Sequence, residues 1–114
     1  MKRFVLLLAL AWISFSCERK VDPNEIPIEE LTISQIHQAY QNGDYTAESL
    51  VQAYLNRISR IDSSLNSISV INPEALAIAK KLDEEYQKTG KLRPLHGIPL
   101  IVKDNINTKG LPTT

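Results

Sequence analysis

Residues 94–114 read PLHGIPLIVKDNINTKGLPTT, and the fold of the chain turns on how this stretch is read. The chain entering it, Arg93-Pro94-Leu95-His96-Gly97, has loop chemistry: proline fixes one backbone angle and glycine frees others. Residues 98–102, IPLIV, are an apolar run of the kind found in strands buried on both faces. Gly97 and Pro99 bracket Ile98 in a turn that sets how the chain approaches this run, and Lys103 stands at its end, followed by Asp104 and Asn105. A strand buried on both faces needs neighbouring strands and covering layers. The rest of the chain offers one further strand candidate, the β-branched run at residues 68–71. The core is therefore expected to be unfinished, and the 114 residues to be the front of a longer protein or the product of a truncated reading frame.

Upstream of this stretch the pattern is helical. Thr32 is followed three residues later by Gln35, a capping-box pair, and Ile33, Ile36, Ala39 and Tyr40 then share one helical face as far as Gly43. A second start at Thr46, with Glu48 in the first turn, leads into Ala47, Leu50, Val51, Tyr54, Leu55, Ile58 and Ile61. Their three- and four-residue spacing makes a core-facing stripe. Residues 62–66 are turn-like. Asn72-Pro73 has the form of an N-cap with proline at the first helical position, and Ala75, Leu76, Ala79, Leu82 and Tyr86 carry an apolar face to Gly90. Lys80, Lys81, Glu84, Glu85 and Lys88 lie on the other side and read as a solvated face.

The first sixteen residues read as an export signal. Lys2 and Arg3 precede an apolar run from Phe4 to Phe15 broken only by Ser14, too short to cross a bilayer that needs roughly 20 helical residues. Ser16 directly before Cys17 resembles a lipobox, in which the cysteine is acylated and becomes the mature N-terminus; Phe15 departs from that pattern, and ordinary cleavage near Ser16 stays open. Residues 17–30, with Pro23, Pro27 and several charges, have the composition of a polar tether. Localisation is accordingly expected to be the bacterial cell envelope, lipid-anchored or periplasmic. A lone cysteine excludes an internal disulfide and a multi-cysteine metal site. Basic and acidic side chains balance at 13 each, and loss of residues 1–16 would remove two basic ones, so no basic face announces a nucleic-acid partner.

The consecutive positions from Pro94 to Thr114 resemble the signature of the amidase signature hydrolases, and the helices starting at Thr46 and Asn72-Pro73 resemble that family's N-terminal helical layer. The resemblance runs from about Leu31 to the last residue and leaves the signal and tether outside it. It implies an α/β domain, the amidase signature fold, with a mixed central sheet covered by helices, of which residues 31–114 hold the first helices and early strands. It further implies hydrolysis of a carboxylic amide bond, in a small molecule or in a peptide, without a cofactor, by a serine nucleophile, a second serine preceded by a cis peptide bond, and a lysine. By matching position Lys103 is that lysine. An amine accepts a proton only when neutral, and apolar surroundings favour the neutral form; residues 98–102 could supply them. Asp104 and Asn105 match residues that support the active-site backbone, although both are also ordinary turn formers.

His96 and His37 have no metal-ligand partner at a useful spacing and read as structural or surface residues, so no metal site is expected. A glycine- and serine-rich segment for the two serines is absent from the 114 residues, and Ser59, Ser63, Ser64, Ser67 and Ser69 lie in helix, turn and strand contexts that do not replace it. Without a nucleophile and oxyanion donors a lysine cannot complete amide hydrolysis, so the chain alone is expected to be inactive. The alternative is a non-catalytic helical lipoprotein or a decayed, truncated product. The amidase component of a transfer-RNA amidotransferase fits the export signal poorly, because that chemistry is cytosolic.

Overall fold

The computed structural model describes residues 21–113, and within them the regular elements are a single turn of 3-10 helix at Pro23–Glu25 and three α-helices. Helix α1 (Ile33–Asn42) starts where its local chemistry dictates: Thr32 Oγ1 accepts from the Gln35 amide at 3.2 Å, and Gln35 Oε1 accepts from the Thr32 amide at 2.8 Å. It stops at Gly43, whose φ of 74° lets its amide turn back to the Ala39 and Tyr40 carbonyls.

Helix α2 (Ala47–Leu65) is capped twice. Thr46 and Ser49 form a reciprocal box, and the Asp83 carboxylate, from another helix, accepts from the Ala47 and Glu48 amides at 2.8 and 2.9 Å. A carboxylate at a helix N-terminus satisfies orphan amides and complements the helix dipole. The helix continues through residues 62–65, where the sequence suggested a turn. The reason lies one turn further on: Asn66 takes the left-handed conformation, and the Asp62 carboxylate accepts from the Ser67 and Ile68 amides at 2.9 and 3.3 Å. Those bonds, with that from the Ser67 hydroxyl first among them, hold the Asp62 carboxyl below the usual carboxylate range.

Helix α3 (Ala75–Thr89) begins later than its sequence suggests. Asn72 is not its N-cap; its side chain accepts from the Glu74 amide at 2.9 Å in a turn that spends Pro73 before the helix starts. Gly90, with φ 64°, closes the helix as expected.

The core sits around α2, which packs on α3 and on the Pro23–Glu25 turn. Ile26, Ile36, Tyr40, Ala47, Leu50, Ala53 and Ala79 form its buried centre, and Leu50 is fully enclosed. Burying a leucine side chain contributes about 1.5–3 kcal/mol. Alanines at positions 47, 53 and 79 let the helix backbones approach closely around it. Residues 21–31, polar in composition, are bound to this core: Ile26 is buried in it, Val21, Ile28 and Leu31 pack against it, and Tyr54 Oη donates to the Ile28 carbonyl at 3.3 Å. Asn56 bonds Asn24 and Arg57 pairs with Glu29 at 2.9 Å along the same face. A few well-placed apolar side chains suffice for docking where average composition suggests a tether.

Helices form where the sequence leads one to expect them, whereas the expected strands are not formed among the described residues. Residues 68–71 and 98–102 have no ladder partner, and Leu100, Ile101 and Val102 are 66%, 83% and 47% exposed. A strand exists only by pairing, so apolar composition alone does not make one. No described helix is long and apolar enough to cross a membrane.

Candidate functional site

The lysine-bearing segment leaves the helical layer through a tightly held turn at residues 93–98. His96 donates its amide to the Arg93 carbonyl at 3.0 Å, and Ile98 donates to the Leu95 carbonyl at 3.2 Å. Three side-chain bonds seat this turn on α1 and α3. His37 Nε2 donates to the His96 carbonyl at 3.0 Å, Tyr40 Oη donates to the Gly97 carbonyl at 2.7 Å, and His96 Nε2 donates to the Leu82 carbonyl at 2.9 Å. Because a carbonyl only accepts, the last bond fixes the His96 proton on Nε2. Nδ1 is buried without a hydrogen-bond partner among the described residues. Such an unsatisfied buried polar atom costs about 1–3 kcal/mol.

Gly97 is required at the centre of the turn. Its φ is 68°, and a Cβ built there would stand 2.9 Å from Ala47 Cβ and 3.0 Å from Tyr40 Cε2. Tyr40 is enclosed by the same packing and meets Tyr45 edge to face at 5.8 Å between ring centres. Burial, with the nearby Asp83 carboxylate as a lesser cause, raises the Tyr40 hydroxyl well above the usual phenol range. It therefore stays a protonated donor to Gly97 at any ordinary pH.

Beyond Ile98 the chain emerges into solvent. Lys103, Asp104 and Asn105 lie together in one turn, which the Ile106 amide closes on the Lys103 carbonyl at 2.9 Å. Asp104 is half-buried, while Lys103 and Asn105 are exposed. The Lys103 amine makes no hydrogen bond or ion pair among the described residues, and the apolar run before it is too exposed to wall it in. Cys17 lies outside the described residues. Of the serines, Ser64 donates to the Ile61 carbonyl within the last turn of α2, and Ser67 donates to the Asp62 carboxylate just beyond it. Sequence reasoning gave His37 and His96 structural or surface roles and did not single out Tyr40 for a role beyond packing; no local signal marks residues that meet across 57 to 59 positions.

The described residues thus form a helical layer that seats a glycine turn and presents a lysine-bearing segment from it, and comparison with known proteins assigns its lineage. The amidase family model matches residues 49–114, more than half of the chain, and the chain belongs to that family. It is 44% identical over 85 residues to the Schizosaccharomyces pombe protein named Putative amidase C869.01, covering 74% of this chain and 14% of that one. It is 39% identical over 85 residues to a glutamyl-tRNA(Gln) amidotransferase subunit of Prochlorococcus marinus, covering 74% of this chain and 18% of that one. The chain spans less than a fifth of the length of these curated relatives. No solved structure matches it significantly.

Proposed function

We propose that this chain is the N-terminal part of an exported amidase that hydrolyses carboxylic amides by a Ser/cis-Ser/Lys mechanism, and that it contributes the lysine. The observation that carries the reading is the position of Lys103 at the end of the 94–103 segment, inside the residues matched by the amidase family model. In this mechanism the neutral Lys103 amine takes a proton from the bridging serine, which takes one from the nucleophile as its oxygen bonds the amide carbon. The proton returns to the leaving nitrogen as the carbon–nitrogen bond breaks. Water then releases the acid from the acyl-enzyme. Asp104 and Asn105 fix the turn that aims the amine. Both serines must come from outside residues 1–114, so the chain alone is inactive.

The curated relatives include amidotransferase subunits, yet the apolar leader of residues 4–15 behind Lys2 and Arg3 favours an envelope hydrolase. Acylation of Cys17 would anchor it to the membrane. A fluorophosphonate probe tests the mechanism without knowledge of the natural amide: the activated serine oxygen bonds phosphorus, fluoride leaves, and the hydroxyl proton passes to the base. The full-length gene product is expected to label on one serine, and Lys103→Ala to slow labelling by about 10²- to 10⁴-fold. Absence of serine labelling, or an unchanged rate in Lys103→Ala, refutes the reading. Cys17→Ala should abolish incorporation of a labelled fatty acid; unchanged incorporation rules out the lipid anchor.

A further inference from the structure

We infer that His96 is a positioning residue for Lys103, acting with His37 and Tyr40 as a latch that fixes where the lysine-bearing segment leaves the helical layer. The inference rests on the catalytic reading of Lys103 given above, but its grounds are separate. First, the latch joins three parts of the chain at one turn: α1 through His37 and Tyr40, α3 through the Leu82 carbonyl, and the N-terminus of α2 through Ala47, which lies against Gly97. Second, it makes the last tertiary hydrogen bonds before the lysine among the described residues. Ile98 packs on the core, and among the described residues 99–103 no hydrogen bond ties the chain back to a helix. The direction in which Lys103 departs is therefore set at residues 96–98.

Third, packing alone does not account for histidine at this place. His96 is 3% exposed, and its Nδ1 is left without a partner among the described residues while Nε2 is spent on the Leu82 carbonyl. An apolar side chain of similar volume would fill the space with no buried nitrogen unsatisfied, and a backbone carbonyl inside α3 already has its helical partner. What the histidine adds is direction. The bond from Nε2 to α3 favours one orientation of the buried ring, next to the two carbonyls, of His96 and Gly97, that α1 holds. In covalent catalysis a displacement of about 1 Å in a proton-transferring group costs up to about 100-fold in rate, so a fixed point of departure a few residues away is a catalytic requirement of the kind packing does not supply.

The test compares fluorophosphonate labelling rate and thermal unfolding in the full-length gene product carrying His96→Leu, His96→Gln or Tyr40→Phe. His96→Leu keeps the volume and removes the donor; His96→Gln restores an amide donor towards Leu82. His96→Leu is expected to label about tenfold or more slowly while unfolding near the wild-type temperature, and His96→Gln to recover most of the rate. Tyr40→Phe, which deletes only the hydroxyl that holds Gly97, is expected to slow labelling in the same direction and serves alone if His96→Leu fails to fold. Wild-type labelling in His96→Leu, or in Tyr40→Phe where the former does not fold, overturns the latch. So does a loss of rate that His96→Gln does not recover. An unchanged rate in Lys103→Ala, by contrast, removes the catalytic reading itself, so the two failures are distinguishable.

Discussion

Replacing Gly97 by alanine probes the turn from which the lysine segment departs. Two costs follow from the structure. At φ 68° an L-residue is strained by about 1–2 kcal/mol. The added methyl would also stand 2.9 Å from Ala47 Cβ and 3.0 to 3.2 Å from the Tyr40 ring and hydroxyl, all buried, and forcing such a contact costs about 1–3 kcal/mol. Alanine restricts the unfolded chain and returns about 0.4–1 kcal/mol. The net destabilisation expected is about 1–5 kcal/mol. Gly43→Ala is the control, because Gly43 has the same handedness (φ 74°) with nothing within 4 Å of the added carbon. It should lose only about 1 kcal/mol. Urea unfolding followed by circular dichroism reads both, and an unchanged m-value would show that the folded state is shifted and not the compactness of the unfolded chain. A loss in Gly97→Ala no greater than in Gly43→Ala would refute the close approach of Gly97 to α1 and α2.

Asp83→Ala removes the carboxylate from the Ala47 and Glu48 amides and should destabilise the protein by about 1–2 kcal/mol, measurable in the same titration; a change within error would mean that the Thr46–Ser49 box caps α2 unaided. Acid stability should carry the signature of Asp62, whose carboxyl is held below its ordinary value of 3.8 in the folded state. Its contribution is full above that pH and is lost as the pH falls and the folded carboxyl protonates, so Asp62→Asn should flatten the acid limb of a stability–pH curve. An acid limb that is the same with and without the carboxylate would sink this assignment.

The helices were legible in the sequence to the degree that their ends are decided locally. Thr32, Gln35 and Gly43 sit within one turn of the ends they set, so α1 was readable from spacing. The end of α2 was not, because residues 62–66 look like a turn until the Asp62 carboxylate is seen gathering the amides beyond Asn66. Asn72-Pro73 satisfies the composition of a helix start, yet the asparagine spends its side chain on Glu74 two residues on. Strand formation at residues 68–71 and 98–102 depends on a partner that composition does not name. The candidate site divides the same way. Lys103 is singled out as a candidate by an ordered motif of some twenty positions, whereas the meeting of His37, Tyr40, Leu82 and His96, and the cap that Asp83 places on α2, arise from packing between distant segments and leave no periodic trace.

The docking of residues 21–31 on α2 also sets a timetable. Ile28, Glu29 and Asn24 bond Tyr54, Arg57 and Asn56 at separations of 26, 28 and 32 residues. During synthesis at roughly 5–20 residues per second, the segment leaves the ribosome about 1–6 s before the helix it grips. For that interval Ile26 and its neighbours are open to whatever first meets the nascent chain, and the sequence separation and the rate of synthesis, not the final stability, fix how long the interval lasts.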